Sequence, residues 1–289
     1  MKHQSKKITI VNMGAIEKTI DIPFFLFNMF NDKFILPLPQ PIRAFVATMI
    51  TIARFKETLK ILKTTPSPLK KITYKQAELL EKLSNIKTEA AFVYSKPKIA
   101  KTDNSTVIAM YNFYSHTTHG KILEKAKQIK PPFCIYNEFF DMVKNRIEKE
   151  LKSLNPTKTV ILLSAHSIPE KHAKKDIYAH DLAVFTRYLD KRLPSKVFLS
   201  FQSKLGPIRW LKPATEEKIK ELSNLYENLL IFPISFTSEN TETTNEIDIR
   251  YKNIALKNGY RKFIRINCFN YDKDFTIFLS RSVVSANKT

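Results

Sequence analysis

The chain has little of what several site chemistries need. Its 289 residues include only 2 cysteines, 1 tryptophan and 4 glycines. Cys134 and Cys268 lie far apart, with no CxxC or Cys/His spacing. Alone they cannot build a zinc site or a cysteine-ligated iron–sulfur cluster, and no disulfide framework is expected. A reducing compartment fits that use of cysteine. Long apolar runs are missing too: the longest, Ala44–Ala53, has ten residues including two threonines. That is too short to cross a bilayer. The polar start, Met1–Lys7, shows no signal peptide, so a cytoplasmic location is expected. Acidic residues are also under-represented, 27 against 48 basic ones, for a net charge of +21. The basic residues are nevertheless scattered, with no long Lys/Arg block and no nucleic-acid module. No nucleic-acid partner is expected. Scarce glycine beside abundant Lys, Ile, Asn, Phe and Tyr reads as a general compositional bias, and the charge as solubility plus weak attraction to anions.

What is present fits a globular α/β protein. Hydrophobic residues make up 43% of the chain and prolines number 15. The length allows one large core or two domains of about 150 residues each. Short apolar runs suit strands at Ile8–Val11, Ala90–Tyr94, Thr106–Tyr111, Phe133–Tyr136, Val160–Leu163, Lys196–Phe201, Leu229–Phe232 and Arg261–Ile266. Helical stretches lie between them: Ile42–Leu62, a second opened by Thr73 as cap, one from Lys121, Asn137–Leu154, His180–Lys191, Glu216–Tyr226, one from Thr237 to about Asn258, and a C-terminal one. Alternating strands and helices predict a mainly parallel sheet with right-handed crossovers. The pattern restarts near residue 157, which predicts two similarly built lobes meeting at Asn155–Lys158, with a cleft between them.

The stretch Thr159–Glu170 organises the rest. Val160–Leu163 are four consecutive apolar residues, two of them β-branched, as in a strand buried on both faces. Ser164, His166 and Ser167 fall just past it, and Pro169 forbids a simple continuation. That rim is where open α/β sheets bind ligands. His166 therefore puts a group that titrates near neutral pH where chemistry is done; a histidine that only satisfies a loop carbonyl is the plainer alternative. In Ser235–Arg250, the residues Glu239, Glu242 and Glu246 are spaced to share one helical face. Such a carboxylate row suits a divalent cation, although acids in a first turn also favour the helix dipole and Glu246 can pair with Arg250. Trp210, between Gly206-Pro207 and Pro213, serves either as a core anchor or as a platform for a flat ligand.

Together these residues resemble the ferrochelatase family. Ser164-Ala165-His166-Ser167-Ile168-Pro169 is similar to its Ser-Ala-His signature. Gln202-Ser203-Lys204-Leu205-Gly206-Pro207 with Trp210-Leu211, and Pro233-Ile234-Ser235-Phe236 through Glu242 to Glu246-Ile247-Asp248, resemble two further blocks. Thinner matches are Val11-Asn12-Met13-Gly14, Phe25-Leu26-Phe27-Asn28, Ser67-Pro68-Leu69 and Ser115 with Thr117-Thr118. The resemblance implies two Rossmann-like lobes, residues 1–155 and 156–289, holding a macrocycle between them. It implies insertion of ferrous iron into protoporphyrin IX, with iron as substrate, no permanently bound cofactor and no iron–sulfur cluster. His166 and Glu242 would be the catalytic pair and, with Glu246, the metal-handling residues; Met13, Tyr94, Ser115 and Trp210 would contact porphyrin. The aromatic segment Phe24–Phe34 and the helix from Ile42 would form a cleft lip and a peripheral membrane contact. The chain departs from the family at Asn240, where a histidine is usual, and at Val93, Tyr111-Asn112-Phe113-Tyr114 and His119-Gly120. His116 and His119 remain as substitutes for the missing histidine. The alternatives are a paralogue that binds porphyrin or haem without metallating it, and a chelatase for another tetrapyrrole or metal.

Overall fold

The first half begins with β1 (Lys7–Asn12), in which Ile8–Asn12 are all buried, as the inner strand of a sheet covered on both faces requires. The computed structural model describes residues 7–203 and 209–284. After β1 come α1 (Asp21–Phe30), α2 (Gln40–Thr64), α3 (Leu69–Ser84), β2 (Thr88–Phe92), β3 (Thr102–Ala109), α4 (His116–Leu123), β4 (Ala126–Ile129) and α5 (Asn137–Leu151). The second half runs β5 (Thr159–His166), α6 (Glu170–Ala173), α7 (Tyr178–Asp190), β6 (Lys196–Gln202), α8 (Thr215–Leu222), β7 (Asn228–Phe232), a π-helix (Glu242–Tyr251), α9 (Lys252–Lys257), β8 (Lys262–Arg265) and α10 (Lys273–Val284).

Each half folds its strands into a four-stranded parallel sheet, ordered β2-β1-β3-β4 and β6-β5-β7-β8. The two orders are the same once renumbered. In each, chain direction across the sheet reverses beside the first strand, between β1 and β3 and between β5 and β7. Loops leaving the carboxyl ends there diverge and open a crevice. His166 ends β5 at that point, and Met13 follows β1 at the equivalent one.

The sheets are two, but the core is shared. One cluster joins Ile10 and Phe92 of the first sheet to Ile161, Leu163 and Phe232 of the second through Phe139, Phe269, Phe275 and Phe278. Helix α10, last in the chain, packs on α3 of the first half. A cut at residue 155 would separate α10 from the helix it covers. Loops stitch the halves near the crevice. Thr237 Oγ1 donates to Met110 O at 3.0 Å. Asn112 Nδ2 donates to Ile234 O (2.7 Å) and Phe236 O (3.1 Å). Asp176, almost fully buried, accepts from Ser115 Oγ (2.9 Å) and His116 N (2.8 Å) of the other half.

Four local expectations are corrected. Phe133–Ile135 is a 3-10 turn and not a strand; the edge strand is Ala126–Ile129, whose Lys127 and Gln128 are exposed and give no apolar signal. Thr73 does not open a helix: it lies inside α3, its hydroxyl donating to Leu69 O at 2.8 Å. The helix placed from Lys121 starts earlier, capped by Ser115. The stretch from Thr237 to about Asn258 is not one α-helix; it coils up to Asn240 and then becomes the π-helix and α9.

Candidate active site

Parallel register sets His166 of β5 beside Gln202, the last residue of β6. The chain then leaves β6 through Ser203, a non-glycine residue at φ +65°. That left-handed conformation is costly for a side-chain-bearing residue and turns it toward the π-helix. In the π-helix the backbone bonds reach back five residues, as from Lys252 N to Ile247 O. The wider turn brings residues four apart to nearly the same azimuth. Glu242 and Glu246 therefore both meet Ser203, and Glu242 also meets His166.

Glu242 Oε2 collects three contacts: His166 Nδ1 at 3.0 Å, Gln202 Nε2 at 3.1 Å and Ser203 Oγ at 2.6 Å. Ser203 Oγ also touches Glu246 Oε2. Glu246 Oε1 accepts from Ser203 N (3.2 Å) and the Tyr251 hydroxyl (2.7 Å), with Arg250 Nη1 at 3.6 Å. Burial works against a charged imidazole, but the adjacent Glu242 carboxylate outweighs it and holds the His166 pKa above its ordinary value. Burial would also raise Glu242; His166, Ser203 and Gln202 together bring it below the usual carboxylate range. Beside this carboxylate the neutral imidazole is a stronger base than free histidine, and the proton it takes up is held as an imidazolium–carboxylate pair.

The histidine is held from behind. His166 N donates to Ser235 Oγ at 3.0 Å, and the Tyr178 hydroxyl lies 2.6 Å from Ser235 Oγ and 2.9 Å from His166 O. One proton per hydroxyl closes a ring: Ser235 accepts from His166 N–H and donates to Tyr178, which donates to His166 O. The Phe236 ring stands edge-on to the imidazole at 6.2 Å.

The expected residues separate into two groups. His166, Glu242 and Glu246 form one network, and Trp210 sits on a segment tied to the loop after β5 through Glu170 N to Arg209 O (3.0 Å) and Leu211 N to Ile168 O (3.1 Å). Met13 is half-buried beside Gly14, where φ is +99° and an added Cβ would lie 2.2 Å from Ser95 Oγ. Tyr94 and Ser115 are instead engaged in structure. Tyr94 is buried with its hydroxyl on Asp32 Oδ2 at 2.7 Å. Ser115 caps α4 and reaches Asp176. The three-glutamate stripe is broken: Glu239 precedes the π-helix and is buried against Arg265 (2.6 Å) and Cys268 N (2.8 Å). His119 does not replace the missing histidine, since its ring neighbours are Tyr111 and Tyr114 and its Nδ1 bonds Thr118. Gln202, Ser203, Ser235 and Tyr178 were not singled out from sequence. The first three sit in or beside the quoted motifs, where a polar residue directly after an apolar strand was the available signal. Residues 204–207 of the second motif lie outside the described residues.

Comparison with known proteins agrees with this architecture. The model of the ferrochelatase family matches residues 6–287. The ferrochelatase of Rickettsia conorii is 34% identical over 93% of this chain and 87% of its own. That of Nitratiruptor sp. is 32% identical over 93% of this chain and 96% of its own. Among solved structures, CbiX, described as the terminal enzyme for siroheme biosynthesis in denitrifying bacteria, superposes with TM-score 0.59 at 11% identity, covering 97% of this chain and 99% of that one. SirB from Bacillus subtilis gives 0.52 at 15% identity over 75% of this chain and 92% of its own. These two share the fold, a two-lobed chelatase-like α/β arrangement. On sequence, fold and the full-length match to the family model, this chain belongs to the ferrochelatase family.

Proposed function

We propose that this protein inserts ferrous iron into protoporphyrin IX to give protohaem, the terminal step of haem synthesis, with His166 and Glu242 as the metallation pair. The single observation that carries the site assignment is the 3.0 Å contact between His166 Nδ1 and Glu242 Oε2 at the carboxyl end of β5. Metallation removes two pyrrole protons and strips water from the incoming ion. With Nδ1–H directed at Glu242, the proton-accepting nitrogen of neutral His166 is Nε2, and the carboxylate stabilises the imidazolium that forms there. Glu242 and Glu246, linked through Ser203, offer hard oxygens to a divalent ion arriving as substrate. Trp210 and Met13 supply apolar surface for the macrocycle.

The membrane part of the proposal rests on the lip. Phe24, Ile42, Phe45, Met49 and Ile52 on α1 and α2 are each more than half exposed. Among the described residues no helix is long and apolar enough to cross a membrane. A peripheral contact through this face would suit delivery of an apolar macrocycle.

The test is anaerobic insertion of Fe²⁺, or Zn²⁺ as surrogate, into protoporphyrin IX by the wild type and by His166→Ala. Turnover that His166→Ala abolishes is the expected result. Porphyrin binding without turnover in the wild type would overturn the enzyme reading, and turnover indifferent to His166→Ala would overturn the site.

A further inference from the structure

We propose that Gln202 is a positioning residue for Glu242, and that a one-way chain of buried hydroxyls, Ser200, Thr215 and Ser164, sets which way its amide faces. The inference rests on reading Glu242 as part of the metallation pair. All four side chains are essentially fully buried. None of them was needed to account for the sheet: Ser164 and Ser200 interrupt otherwise apolar strands, where a buried hydroxyl is unfavourable unless bonded.

Proton counting gives the chain a single direction. Gln202 Nε2 lies 3.1 Å from Glu242 Oε2. The flipped amide would set its oxygen against the carboxylate, so Nε2 is the end that faces it. Gln202 Oε1 can then only accept, and Ser164 Oγ donates to it at 2.6 Å. That commits the one proton of Ser164. The 2.9 Å contact between Ser164 and Thr215 must use the Thr215 proton. The 2.9 Å contact between Thr215 and Ser200 in turn uses that of Ser200, whose other acceptor, Leu163 O, lies farther off at 3.5 Å. Reversing any one link leaves two oxygens facing each other with no proton between them. The sequence Ser200 → Thr215 → Ser164 → Gln202 → Glu242 therefore has one arrangement, and series donation strengthens each bond.

The consequence for the site is an asymmetric carboxylate. His166 and Gln202 address Oε2, and Ser203 Oγ lies against it with one proton for both this oxygen and Glu246 Oε2, while Oε1 has no hydrogen-bond partner among the described residues. With Oε2 pinned, the carboxylate plane cannot rotate freely, and Oε1 is the oxygen left for the reaction. Second-layer bonds of this kind are typically worth about ten- to hundredfold in activity when removed.

The experiment compares Thr215→Val, nearly isosteric but without a proton to give, with Thr215→Ser, which keeps it, and with Ser164→Ala. The direct readout is the ¹⁵N–¹H signal of the Gln202 side-chain amide in the full-length protein, which needs no turnover. The second is zinc insertion resolved into kcat and KM for porphyrin. The expected result is that the amide signal moves in Thr215→Val and Ser164→Ala but stays in Thr215→Ser. In the same variants kcat falls about tenfold with KM nearly unchanged, and Thr215→Ser restores it. An amide signal unmoved by Thr215→Val would overturn the chain. A moved signal with unchanged kcat would overturn the positioning role. If the wild type inserts no metal, the reading of the reaction fails, and the amide signal still decides whether the chain holds Gln202. Should Ser164→Ala fold poorly, the two Thr215 variants carry the comparison alone.

Discussion

Asn240 Oδ1 accepts the backbone N–H of Glu242 at 2.8 Å. The residue that stands where the family usually has a histidine thus makes a side-chain turn over the first residue of the π-helix, with Asn240 Nδ2 on Ser238 O at 3.2 Å. It contributes to the position of Glu242 without any titratable group. Asn240→Ala should destabilise the protein by about 1 kcal/mol and lower zinc insertion, whereas Asn240→Asp, which keeps the acceptor, should retain both. Thermal melts alongside initial rates check this; equal losses in the two variants would remove the turn from the account.

Arg265 grips Asp248 through Nε and Nη2, at 2.6 and 3.0 Å, and Glu239 through Nη1 at 2.6 Å. Arg265→Met leaves two carboxylates without their counter-charge, one of them buried. We expect a loss of about 3–5 kcal/mol, read by urea unfolding. The KM for metal should hardly change under conditions where the variant is folded, because Glu239 is not part of the acidic pair at Ser203.

His119 is buried between Tyr111 and Tyr114, and burial lowers its pKa from 6.5 to about 4. Between those values the unfolded chain binds a proton that the folded chain refuses. Stability therefore rises with pH across this window and is lost as pH falls from 6.5 toward 4, by up to about 3 kcal/mol. His119→Phe should flatten that dependence: its melting temperature should drop less than that of the wild type between about pH 7 and about pH 4.5. An unchanged slope would show that acid sensitivity arises elsewhere.

The ring formed by His166, Ser235 and Tyr178 predicts unequal effects. Ser235→Ala strands a backbone N–H beside the site and should cost about 1–3 kcal/mol together with a clear fall in kcat. Tyr178→Phe removes only the hydroxyl and keeps the edge-on packing with Phe113, so its effect should be smaller on both counts. Calorimetry and insertion kinetics on the pair give the ranking, and the reverse order would break the proposed direction of donation.

Much of the fold was legible because buried parallel strands are short, apolar and β-branched, as in Val160–Leu163. Two similarly built lobes were expected from that alternation; the strand order they share is a finding of the structure. One edge strand is different: Ala126–Ile129 buries too little to leave a pattern, while the edge strands β2, β6 and β8 were visible. His166 was visible from its place at a strand end. Glu242 and Glu246 were visible as a pair, but the spacing of Glu239 fits a helix equally well, and only the start of the helix after Asn240, with Glu239 turned to Arg265, separates it from them. The burial of Tyr94 and Ser115 could not be foreseen, because the partners that engage them, Asp32 and Asp176, are 62 and 61 residues away.

The packing of α10 on α3 has a consequence for how the protein is made. A ribosome delivers α3 early and α10 last, so the first half leaves the exit tunnel with Ala77 and Leu80 still uncovered, awaiting Phe275, Phe278, Leu279 and Val283. The first half cannot be finished before α10 of the second half is made. The cover of α3 comes from a helix of the second half, and a transcript truncated before α10 yields a first half with an open flank, a substrate for chaperones and proteases.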